Sequence, residues 1–103
     1  MKKERKDNKM GNEKFKKLCK MAVIRYVNER LDDDREYITK DNVYIVWLCK
    51  VLQNNKALVS TTLEDGMYYE VTYNGDKDEL YLDAYKKVEN VLIKPGEFDD
   101  GKR

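Results

Sequence analysis

Histidine is absent from this sequence, proline occurs once and cysteine twice. Without histidine, a serine or cysteine nucleophile lacks its usual base. The ligand that would complete a zinc site from two cysteines is missing too. Cys19 and Cys49 do not form a C-x-x-C pair, and both fall in apolar patterns. Reduced core thiols are the expectation for both. No apolar run approaches the ~20 residues of a membrane-spanning helix. The lysine-rich start leads into Asn and Glu rather than into an apolar segment, unlike a secretory signal. The phosphate-cradling patterns G-x-x-x-x-G-K-[ST] and G-x-G-x-x-G do not occur. Asp32, Asp33 and Asp34 are consecutive, whereas an oxygen-rich calcium loop alternates its ligands around a glycine; a solvated turn is the simpler reading. The expectation is a cytoplasmic protein, not an enzyme, with no catalytic residue, no metal, no cofactor and no membrane partner.

What is present is enough for one small domain. Of 103 residues, 41% are hydrophobic and 40% charged, so an apolar core is expected inside a heavily solvated shell. The formal net charge of +1 is unevenly spread. Residues 1–20 hold nine Lys/Arg against three Asp/Glu, a net +6, and the remainder holds twelve against seventeen, a net −5. Residues 1–11 are expected to form a flexible basic leader, 12–94 a single α+β domain and 95–103 a flexible polar tail. The leader's Lys2, Lys3, Arg5, Lys6 and Lys9 make a candidate basic arm for nucleic acid; a solubilising leader is the plainer alternative.

Asn12 reads as a helix N-cap with Glu13 in the first turn. Phe15, Leu18, Cys19, Ala22, Val23, Tyr26 and Val27 then recur at three- and four-residue steps, one helical stripe. Met21, Ile24 and Leu31 widen it beyond what one sheet must cover. That excess, with a first strand apolar on both faces, predicts a homo-oligomer. Val43 to Leu52 is long enough for a buried helix, but its β-branched and aromatic content favours a strand ending at an Asn54-Asn55 turn. Lys56 to Leu63 reads as the second strand, with Glu64-Asp65-Gly66 as the next turn.

Two alternating runs flank Asn74-Gly75, a strong hairpin signal. Parity must match apolar with apolar, because a one-residue slip turns every side chain over. The inner face is then Tyr69, Val71, Leu80, Leu82 and Ala84. The outer face is Tyr68, Glu70, Thr72, Tyr81, Asp83, Tyr85 and Lys87. The last strand runs or bends on through Val91 and Ile93, and Pro95-Gly96 ends it. The fold expected is α+β: an N-terminal amphipathic helix packed on a four-stranded antiparallel β-meander.

The outer face interleaves tyrosine with Glu, Asp and Lys. Tyrosine is common in strands for its own sake; it is also enriched where proteins meet proteins. That face is the candidate site for a protein partner. Base stacking on it would need cationic surroundings that only the arm supplies.

The runs VYIVWLCK, LQNNKAL, STT, DGMYYEVTYNGDK and LYLDAYKK, followed by Glu89-Asn90, resemble a family of small proteins. Phages and prophages of Gram-positive bacteria encode it, and it is catalogued only as a domain of unknown function. The resemblance spans Ile38 to Asn90. It implies a cytoplasmic, phage-encoded accessory protein that occupies the surface of a host or phage protein, in defence or replication machinery for example. It carries over no catalytic residue. Nucleic-acid binding through the arm and the tyrosine face is the alternative.

Overall fold

The computed structural model describes residues 10–31 and 36–98. Its helix, α1, spans Asn12–Asn28. Phe15, Cys19, Val23 and Val27 succeed one another at four-residue spacing, and all four are buried. Leu18, Ala22 and Tyr26 flank them half-buried. Gly11, not Asn12, is the N-cap, and no side chain caps the helix start. Met10, placed with the leader by the sequence, is buried against the core. Its anchorage fixes the entry of the chain, and the Phe15 N–H donates to the Gly11 carbonyl at 3.0 Å. At the other end the Arg30 guanidinium donates to the Tyr26 carbonyl at 2.9 Å and lies 3.7 Å above the Tyr26 ring.

Asn28 ties the end of the helix to the segment that leads into the sheet. Its amide donates to the Ile38 carbonyl at 3.0 Å and accepts from the Ile38 N–H at 2.9 Å. Ile38 is thereby held in the core. A 3₁₀ turn at Lys40–Asn42 then starts the sheet, with Thr39 and Asn42 capping each other reciprocally.

The sheet is a meander of β1 (Val43–Val51), β2 (Asn54–Thr61), β3 (Met67–Asn74) and β4 (Glu79–Lys86), all neighbours antiparallel. With α1 on one side of it, the fold is α+β as expected. The ambiguous run from Val43 is a strand, and a bulge between Ile45 and Trp47 explains its apolar content on both faces. Ile45 faces Val59 and Leu48 faces Ala57, toward the helix. Trp47, across from Leu58, is turned to the opposite side.

The expected Asn54-Asn55 turn is displaced to Leu52 and Gln53. Leu52 takes a φ of 56°, a conformation costly for a side chain with a Cβ. The register explains the shift: Asn55 pairs with both Lys50 and Tyr73 inside the ladder. Its amide is fully buried with no hydrogen-bond partner among the described residues, a cost of about 1–3 kcal/mol.

The core lies between α1 and the middle of the sheet: Val43, Ala57, Val59, Tyr69, Val71 and Tyr73 meet the helix stripe. Each fully buried Val or Phe contributes about 1.5–3 kcal/mol. Tyr26 and Tyr69 pack edge to face, with centroids 5.6 Å apart. A helix about 10 Å across covers two or three strands spaced ~4.8 Å apart. The fourth is left open. Leu80 and Ala84, expected on the covered face, are accordingly exposed, and Leu82 is half-buried. The last strand also ends earlier than expected. Residues 87–94 have no regular secondary structure, and Pro95–Phe98 is a 3₁₀ turn.

The cysteines separate. Cys19 is fully buried, and desolvation pushes its thiol up to about 12. Cys49, expected in the core, is exposed on the sheet face away from the helix, because the bulge resets strand parity before it. A thiol reagent should therefore label one cysteine per native chain and both after denaturation, and Cys49→Ser should abolish the native reaction.

The β1–β2 and β3–β4 turns touch at one end of the sheet. A Cβ on Gly75 would run into the Gln53 carbonyl oxygen, and the Gly75 N–H approaches Asn54 Oδ1 at 3.4 Å. The β3–β4 turn itself spans Gly75 to Asp78, with Asn74 Oδ1 accepting from the Asp76 and Lys77 N–H groups. Gly75→Ala should lower unfolding free energy by about 1–3 kcal/mol, read from denaturant melts, without changing far-ultraviolet dichroism of the folded state.

Candidate functional site: the open face of the sheet

Register places the outward side chains in a grid. One row runs Tyr44, Ser60, Tyr68, Tyr85; the next runs Trp47, Leu58, Glu70, Asp83; a third runs Cys49, Lys56, Thr72, Tyr81. Six of the seven residues expected on the outer face are thus brought together. The seventh, Lys87, comes just after the end of β4, where its N–H donates to the Gly66 carbonyl at 2.7 Å. No described helix or loop covers the grid. Tyr44, Trp47, Tyr81 and Tyr85 are each 42–52% exposed.

Six members of the grid escaped sequence reasoning: Tyr44, Trp47, Cys49, Ser60, Lys56 and Leu58. The first three lie in a run with no alternation to assign faces, and the bulge reverses parity within it. Ser60, Lys56 and Leu58 sit across the grid from residues that were assigned, so a β2–β3 register would have found them.

The electrostatics centre on Glu70 and Asp83, directly opposed across β3 and β4. Like charges in that position destabilise a sheet. Lys56 lies 3.4 Å from one Glu70 oxygen, and the Tyr85 hydroxyl donates to the other at 3.4 Å. Glu70 and then Asp83 raise the Tyr85 phenol above its ordinary 10.0, since a phenolate there would be a third negative charge. Tyr81 donates to Glu79 and is raised by that bond. A hollow at the β1 rim is lined by Glu13, Lys16, Lys17, Lys20, Tyr44 and Ile45, with Glu13 pairing to Lys16 at 3.4 Å, so a mainly basic side of α1 adjoins one edge of the grid. Lys2, Lys3, Arg5, Lys6 and Lys9 lie outside the described residues, as do Asp32, Asp33 and Asp34. Among the described residues no three His, Cys, Asp or Glu side chains converge as metal ligands would, and no helix is long and apolar enough to cross a membrane.

A single helix backing a four-stranded meander, with an aromatic face left open, defines a class of small α+β sheet proteins. The chain belongs to the family of unknown function DUF6275, whose model matches residues 16–95. That span takes in all of the sheet and all but the first turn of α1. No curated protein and no solved structure matches the chain.

Raised tyrosine values have a definite sign. The folded state holds its phenolic protons more tightly than the unfolded chain. This contribution to stability is fully present below about pH 10 and is lost as pH rises through the folded values. Phenolate absorbance should therefore develop later in the folded protein than in urea. Glu70→Gln should bring the Tyr85 titration to lower pH, an assignment checked with Tyr85→Phe.

Proposed function

We propose that this is a small phage-encoded accessory protein, acting in the host cytoplasm by non-catalytic binding of a host or phage protein through the open sheet face. The phage origin rests on the resemblance of the strand motifs. The binding reading rests on one observation: two opposed carboxylates, Glu70 and Asp83, stand inside a frame of Tyr44, Trp47, Leu58, Tyr68, Tyr81 and Tyr85. Interface cores concentrate aromatic anchors, and carboxylates within such a frame are matched by an Arg from the partner. Unfavourable pairing on an exposed face marks a place where local stability gives way to another demand. The complementary surface presents an Arg or Lys to Glu70 and Asp83, within an apolar surround that covers the rings.

The lysines of α1 beside Tyr44 favour a second reading, nucleic-acid binding that extends the basic arm onto the helix. Salt separates the two. Phosphate contacts release counterions, so affinity for duplex DNA falls with a log–log slope of about −0.9 per contact. A face-to-face protein contact responds weakly to salt.

The test is capture of partners from nuclease-treated host lysate, then titration of the purified partner. Tyr68→Ala with Tyr81→Ala should weaken binding by ~2 kcal/mol or more, and deletion of residues 1–9 should change it little. Loss on arm deletion with retention in the double tyrosine variant would overturn the protein-partner reading in favour of nucleic acid.

A further inference from the structure

The face toward the helix is also incomplete. Because α1 does not reach β4, a trough opens between them. Leu18, Met21, Ala22, Ile24, Arg25 and Leu80 line a groove of ≈ 440 Å³ there. A second hollow of ≈ 220 Å³ continues it past Tyr26 and Leu82. The walls of the first are aliphatic apart from Arg25, while the second adds Tyr26, Glu29, Arg30 and Tyr81. Among the described residues the backbone edge of β4 on this side pairs with no other strand, so it offers N–H and C=O groups to an added one.

The same chain carries a segment suited to that space. Residues 87–94 have no regular structure, yet Val88, Val91, Leu92 and Ile93 are 92%, 62%, 81% and 51% exposed. Four large aliphatic side chains within six residues, held in water, are costly unless something covers them. Their number and type suit a trough with room for several aliphatic side chains. Glu89, inside the segment, supplies a counter-charge for Arg25.

The segment stays exposed and does not extend to the Leu80 end of its own chain's trough. The Lys87 N–H continues the β3–β4 ladder by bonding to the Gly66 carbonyl, so the chain leaves from the end of β4 remote from Leu80. Leu80 to Lys87 spans about 23 Å along the strand, and Lys87 to Ile93 extends at most about 20 Å. Folding straight back would consume the whole segment and leave no residues for the reversal. A second copy faces no such limit. Two copies related by a twofold can each lay the segment across the other's trough, a self-complementary arrangement with both grooves filled.

We infer that the protein forms a homodimer by exchange of its C-terminal segments, with Val88–Ile93 of one copy lying along β4 and in the α1–β4 groove of the other. This interface uses the opposite side of the sheet from the aromatic grid and stands whether or not the grid binds a protein. Light scattering on the full chain should give twice 12.3 kDa at tens of micromolar, on the order expected for a modest apolar interface. Val91→Asp with Ile93→Asp should give the single-chain mass with an unchanged circular dichroism spectrum. Both substitutions fall on exposed positions, so folding is spared. Geometry is read by cross-linking in a Cys49→Ser background. Met21→Cys chains mixed with Ile93→Cys chains should form a disulfide between copies on mild oxidation. A single-chain mass up to millimolar concentration would overturn the inference. So would a dimer that survives the tail substitutions, or a Met21→Cys/Ile93→Cys double variant that closes only within its own chain.

Discussion

Everything in this fold depends on covering one face of a four-stranded sheet with one helix. The buried stripe of α1, Phe15, Cys19, Val23 and Val27, rests on Ala57, Val59 and Val71 near the centre of the sheet. Burial of this kind is the main favourable term for so small a body. The helix is narrower than the sheet, however, and the arrangement leaves the inner side of β4 and the whole outer face to water. The trough arises from that mismatch in width, and the aromatic grid from the single helix layer covering only one face.

The polar connections keep the helix in place over the sheet. The paired hydrogen bonds between Asn28 and Ile38 close the helix end onto the segment that leads into β1. The reciprocal cap of Thr39 and Asn42 then sets the direction in which Val43 enters the sheet. At the far end the contact between Gly75 and Gln53 locks two turns together. These contacts are few, and each fixes a position rather than contributing much energy. The energy comes from the apolar stripe, and the polar groups decide where it acts.

The two proposals draw on separate surfaces of the small domain. The aromatic grid presents a rigid framework on strands, a good platform for recognition because little side-chain freedom remains to be lost. In the exchanged homodimer proposed above, the trough and the segment after Lys87 would serve self-association. A twofold exchange across β4 would leave the grid of each copy free, which would give the assembly two equivalent recognition faces. Such pairing strengthens binding to a partner that is itself repeated.

Residue order alone determined the helix stripe, the antiparallel hairpin at Asn74-Gly75 and the faces of β3 and β4. In each, strict periodicity of apolar residues leaves one solution: three and four for α1, two for the strands. Tyr68, Glu70, Thr72, Tyr81, Asp83 and Tyr85 were legible as one face for that reason. The first strand was not, since it is apolar on both sides, and only pairing with β2 introduces the bulge that sends Trp47 and Cys49 outward. The same pairing draws Asn55 into the ladder and moves the turn to Leu52-Gln53, against local preference. Tertiary structure alone also decided which apolar residues stay wet. Leu80 and Ala84 have the pattern of core residues, but their burial depends on how far a helix reaches, and that width is a property of the packed layers and not of any stretch of sequence.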